Sequence, residues 1–112
     1  MAKYYNDEEV HVVPLIAPVD TAAVAVNTDV VNLENYHNVQ FIIPLGVVTG
    51  DTIAATVEEC DDTTPSNSTA IAFYYRLSSA VGTDSMGARA VATTAGVTVA
   101  ATDDNKVLII DV

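Results

Sequence analysis

Basic residues are scarce in this chain: four Lys and Arg stand against fifteen Asp and Glu, a formal net charge of -11 over 112 residues. Such a surface repels phosphate backbones instead of releasing their counterions, which argues against nucleic acid as a main partner and against anionic membrane surfaces. Long apolar runs are also missing, and none approaches the roughly 20 residues that span a bilayer. The opening MAKYYND has neither the basic start nor the apolar stretch of a secretion signal, so export by that route is not expected. A lone cysteine, Cys60, leaves no intrachain disulfide, no CxxC redox pair and no metal finger, so stability must come from packing or from partners. Tryptophan is absent and leucine occurs only five times.

What the chain does have is branching at Cβ. Val, Thr and Ile occupy 38 of the 112 positions, and their stiff χ1 favours strands over helices. A chain of this length forms one domain, and neither TAAVAV nor SMGARAVAT carries a 3.6 period with caps. The expected fold is all-β: an antiparallel β-sandwich or small β-barrel of six to seven strands, jelly-roll-like or Ig-like, closed on itself or completed by a neighbouring copy. Residues 1–9 are expected to form a flexible N-terminal arm with Tyr4 and Tyr5 as its large anchors, and residues 10–112 a single β domain.

Along the chain, Val10 to Val19 reads as an edge or interrupted strand, because Pro14 and Pro18 cannot donate to a ladder. A second apolar run ends at Leu33. From Val39 to Val48 the alternation is strict, with Val39, Phe41, Ile43, Leu45 and Val47 on the core side and Gln40, Ile42, Pro44, Gly46 and Val48 on the other. Thr49-Gly50-Asp51 is expected to turn this strand into a hairpin with Ile53 to Cys60, whose Ile53, Ala55 and Val57 join the core. After a loop at 61–67, Ala70 to Leu77 places Ile71, Phe73, Tyr75 and Leu77 on one side and Ala72, Tyr74 and Arg76 on the other. Residues 78–92 read as a loop, and Val97 to Ala101 with Val107 to Val112 as a last hairpin around Asp103-Asp104-Asn105. The strand VLIIDV either pairs with a central strand or belongs to a domain longer than this chain.

Residues that could carry chemistry are few and dispersed. His11 and His37 lie 26 positions apart and fit no HxH or HExxH spacing. Cys60 precedes Asp61 and Asp62, whose charge disfavours a thiolate. Adjacent Glu58 and Glu59 point to opposite faces of a strand and so do not form a two-acid site. The acidic turns at Asp61-Asp62 and Asp103-Asp104-Asn105 offer oxygens for calcium without EF-hand spacing, and read first as solvated turns. No catalytic residue, metal or cofactor is assigned. A better candidate is an interface: Tyr74 and Arg76 are residue types enriched in binding hot spots, and Ile42, Pro44 and Val48 add apolar area on what would otherwise be a polar side; the other reading is that both faces are buried within one sandwich. Tyr4, Tyr5, Ile42, Pro44, Tyr74 and Arg76 form the expected contact set.

The segments NLENYHNVQFIIPLGVVTGDTIAATVEECDDTTPSN, AIAFYYRLSSA and TDDNKVLIIDV resemble the small β-rich structural proteins of tailed bacteriophages. Asn32, Asn35 and Tyr36 match an N-x-x-N-Y element, Val57, Cys60, Asp61 and Asp62 a V-x-x-C-D-D strand end, and Phe73, Tyr75 and Arg76 an aromatic strand, over residues 32–112. The resemblance implies a virion component, a head decoration protein bound to the major capsid protein or other virion proteins, homo-oligomeric and without catalytic residues. A head–tail neck component, or a fibre-type receptor- or carbohydrate-binding module, is the alternative. Similar proteins often continue past IIDV with a further aromatic strand that this sequence does not contain, which leaves three possibilities open: closure on itself, by another copy, or by further chain.

Overall fold

The computed structural model describes residues 10–19, 25–48, 52–64 and 67–112. Tyr4, Tyr5 and the expected turn at 49–51 lie outside them. Eight strands follow in order: β1 (Gln40–Pro44), β2 (Ile53–Ala55), β3 (Val57–Glu59), β4 (Thr69–Ile71), β5 (Phe73–Leu77), β6 (Ala90–Ala92), β7 (Val97–Val99) and β8 (Val107–Asp111). A single 3-10 turn at Ala101–Asp103 is the only helical element among the described residues. All pairings are antiparallel and form three sheets: β1-β8-β5-β6, β2-β7 and β3-β4.

The four-stranded sheet is built on β8. On its inner side Phe41, Ile110, Tyr75 and Ala90 follow one another across the four strands, and Ile43, Leu108 and Leu77 form the next row. Leu108 is 1% exposed, and Phe73, Ile110, Val97 and Val99 are buried with it. Ile53, Ala55 and Val57 pack against the same cluster, so all three sheets contribute to one core. The side-chain alternation expected for 39–45 and 73–77 is therefore the observed one.

Strand pairing departs from the expectation. The segment at 39–48 makes no hairpin with 53–60; β1 pairs β8 and β2 pairs β7 instead. Likewise β7 and β8 do not form the expected hairpin. The two long strands expected at 53–60 and 70–77 each change partner midway, at Thr56 and at Ala72, giving β2 and β3 from one and β4 and β5 from the other. The Val57↔Ile71 pair closes the β3–β4 sheet beside both breaks, so the two chains bend at the same level and form a corner where strands switch sheets. Gly96 packs into that corner: a Cβ there would overlap the Ala55 carbonyl oxygen, and its φ of +84° already suits glycine.

Three local expectations are also corrected. Residues 10–19 form no strand; they lie largely exposed, and the Asp29 N–H donates to Leu15 O at 3.3 Å. The stretch read as a loop, 78–92, ends in β6, an Ala-Val-Ala strand too short for its period to be recognised. At the end of the 39–48 segment the phase reverses, with Val47 exposed and Val48 buried. Pairing with β8 stops near Leu45, and the chain then bends so that Val48 N–H donates to Asp104 Oδ1 at 2.6 Å.

The C-terminal strand is thus an interior strand, paired on both sides with β1 and β5. Leu108→Ala is expected to lower stability by about 2–5 kcal/mol, because it opens a cavity in the middle of the inner face. Urea melts of this variant should show an earlier midpoint with an unchanged slope. Gly96→Ala is expected to destabilise the fold as well, and a melt identical to wild type would remove the corner from the account.

Candidate functional site

The outer face of the four-stranded sheet carries four of the six expected contact residues, Tyr4 and Tyr5 lying outside the described residues. Gln40, Asp111, Tyr74 and Val91 run across β1, β8, β5 and β6 in one row, and Ile42, Ile109 and Arg76 make the next. Pro44 follows at the end of β1, opposite Val107. Ile42, Pro44, Tyr74 and Arg76 therefore share a face, but β1 and β5 are not neighbours: β8 separates them by roughly 10 Å and contributes Ile109 and Asp111 between. Val91 and Arg89 were missed with β6. The alternation in VLIIDV was the signal that places Ile109 and Asp111 opposite to Leu108 and Ile110.

This face is apolar where water meets it. Ile42 is 63% exposed, Val91 64% and Tyr74 46%. Exposed large hydrophobics scattered singly are ordinary; here Tyr74 and Val91 are cross-strand neighbours and Ile42 stands on the same face beyond β8. At the edge, Val39 and Leu45 donate their N–H groups to Val112 O and Lys106 O, so the alternate positions 40, 42 and 44 face outward. Pro44 has no N–H to offer there, which blunts the open edge of β1.

Polar groups on the face are incompletely paired. Asp111 Oδ1 accepts from Gln40 Nε2 at 2.7 Å, while its Oδ2 stands 3.9 Å from Arg76 Nη2, long for a charge-assisted bond. Arg76 Nε has no accessible surface and no hydrogen-bond partner. The Arg89 guanidinium carbon sits 3.9 Å from the centroid of the Tyr74 ring, a cation–π stack that holds both side chains in place. Arg76, Arg89, Tyr74, Val91 and Asp111 line an open groove of about 720 Å³ that runs to Ala72 and Asn38.

Elsewhere, the acidic groups have structural work. Asp103 Oδ1 accepts from Lys106 Nζ at 2.9 Å and its Oδ2 from the Ala100 N–H at 2.9 Å. Residues 103–106 form a turn with Asn105 at φ +58°, the position where Asn tolerates the left-handed region. Asp62 Oδ1 caps a local turn by accepting from Thr64 N–H at 2.9 Å. His11 Nδ1 lies 3.1 Å from the Tyr36 hydroxyl on an exposed surface, far in sequence from His37. Among the described residues, no three His, Cys, Asp or Glu side chains come together in a metal-holding group, and no helix is long and apolar enough to cross a membrane.

The Lys106 hydrogen bond, helped by the Ala100 N–H, holds the Asp103 carboxyl below its ordinary range. A carboxyl whose pKa falls on folding contributes stability above its unfolded value, near about pH 4, and loses that contribution as pH drops through the folded value. Asp103→Asn is therefore expected to be less stable than wild type at pH 7, with the gap shrinking below about pH 4. Urea midpoints at both pH values check this, and a gap that does not change with pH would contradict it. Comparison of the chain with known protein families, with curated proteins and with solved structures returns no match in any of the three.

Proposed function

We propose that this chain is a non-enzymatic structural protein of a virion, a head decoration protein of a tailed bacteriophage that binds and stabilises an assembled capsid lattice. The observation that carries the reading is the outer face of the four-stranded sheet, where Ile42, Tyr74 and Val91 stand exposed beside a stacked arginine. Aromatic residues and arginine, surrounded by apolar area, are the composition of interface hot spots. The sequence resemblance of residues 32–112 supplies the identity of the assembly, with the major capsid protein or another virion protein as partner.

In this reading the action is mechanical. Each copy presents a preformed sheet face to the shell, and many copies on a repeating lattice convert weak single contacts into durable attachment. The four-stranded sheet and the β2–β7 pair share one core, which supports reading them as the two layers of a small β-sandwich. Open edges, such as β6, are covered by strand addition or by a neighbouring copy, so the protein works as a homo-oligomer.

The reading predicts a separation between binding and folding. Tyr74→Ala is expected to reduce co-sedimentation with assembled shells about tenfold or more, while its urea melt shifts by less than about 1 kcal/mol. Equal loss of shell binding and of stability would assign Tyr74 to the fold, and full-strength binding by the variant would remove this face from the contact. Binding of the wild-type chain to isolated necks but not to shells would favour the head–tail position.

A further inference from the structure

The groove on the outer face gathers two of the few cationic side chains of the molecule. Three of the four cationic side chains lie among the described residues, and one of these, Lys106, is bound to Asp103. The other two, Arg76 and Arg89, border the same groove, where Asp111 is the one carboxylate side chain and Val112 lies on the rim, in a chain of net charge -11. Neither guanidinium is fully used. Arg76 keeps a buried Nε without partner and a long contact to Asp111, and Arg89 sits over the Tyr74 ring with no ion pair among the described residues. A planar guanidinium offers five donors suited to a carboxylate, and two of them beside an apolar floor of Tyr74 and Val91 make a receptor for an acidic, extended segment.

The chain itself carries such a segment. Glu58 and Glu59 on β3, then Asp61 and Asp62, place four carboxylates within five residues, with their side chains exposed and without an ion pair among the described residues. The segment is extended through Glu59, and no cation lies within it. Two copies meeting groove to groove would instead crowd four guanidiniums around two carboxylates, which argues against a symmetric contact of this face with itself.

We propose that the Arg76–Arg89 groove of one copy receives the acidic strand end Glu58–Asp62 of a second copy. The proposal rests on the reading of the outer face as a docking surface and divides it: the Arg76–Arg89 end meets a neighbouring copy on the lattice, and Ile42 and Pro44 on β1 are left to the shell. The contact joins different surfaces of the two copies, so it is either reciprocated within a pair or propagated from copy to copy.

Its electrostatic signature follows from the two scales of charge. At about 0.01 M salt the screening length of about 30 Å is comparable to the molecule, which measures 46 × 40 × 26 Å, so each copy feels the net charge of the other and is repelled. At about 0.15 M screening falls to about 8 Å and the local match dominates, while at about 1 M the match itself is screened. Association therefore peaks at intermediate salt, whereas a purely apolar contact tightens steadily as salt rises.

Sedimentation velocity of the full chain, up to about 0.5 mM and at these three salt concentrations, is the test. The expected result is association strongest near 0.15 M, weakened about tenfold or more by Arg89→Glu and by the double variant Glu59→Lys/Asp61→Lys, and restored when the two variants are mixed. Arg89 is exposed, so its reversal leaves the core untouched. A wild type that stays monomeric at all three salts overturns the proposal, as does a mixture no better than its components. So does association that tightens up to 1 M and ignores both reversals, which would make the contact between copies apolar. Shell co-sedimentation lost on Tyr74→Ala but unaffected by Arg89→Glu, in a chain that does not self-associate, would retain the docking face and discard its acidic second copy.

Discussion

The fold depends on the placement of β8 between β1 and β5. An interior strand has both edges satisfied by neighbours, and its two faces are then free to serve different purposes. Leu108 and Ile110 point inward, between Ile43 and Phe41 on one side and Leu77 and Tyr75 on the other. Ile109 and Asp111 point outward and complete the surface between Ile42 and Arg76. Without β8 in that position, β1 would have no partner among the described residues, and the outer face would lose its middle strand.

The core is assembled from short pieces. Strands of three residues bury little on their own, and two-stranded sheets are marginal in water. Here the β2–β7 and β3–β4 pairs gain their stability by packing Ile53, Ala55, Val57, Val97 and Val99 against the larger sheet. The corner at Thr56 and Ala72 makes this possible, because one bent chain can serve two sheets there. Thr56 and Ala72 at the breaks are small, and Gly96, lacking a Cβ, can pack against the Ala55 carbonyl.

The outer face is held in place by contacts among its own side chains. The Arg89–Tyr74 stack and the Gln40–Asp111 bond hold polar side chains against the sheet, which lowers the entropy lost when a partner arrives. Arg76 Nε is left without a hydrogen-bond partner, and an unpaired buried N–H is costly. Net charge and local charge are separate quantities in this molecule: the chain carries -11 overall, while Arg76 and Arg89 stand together at one groove.

Inward and outward positions were legible from residue order alone for Phe41, Ile43, Phe73, Tyr75 and Leu77, and so was the shared side of Ile42, Tyr74 and Arg76, because period-two alternation is a property of each strand by itself. The turn at Asp103-Asp104-Asn105 was legible for the same local reason. Which strands became neighbours was not, since pairing between positions as distant as Gln40 and Asp111 is chosen by the whole core and not by any stretch within it. Tertiary packing therefore decided that the expected hairpins open, that two long strands bend into four, that Ala90–Ala92 becomes a strand, and that Val48 turns inward in place of Val47. It also brought Arg89 beside Tyr74, because a three-residue strand forms only once a neighbouring strand stands ready to pair with it.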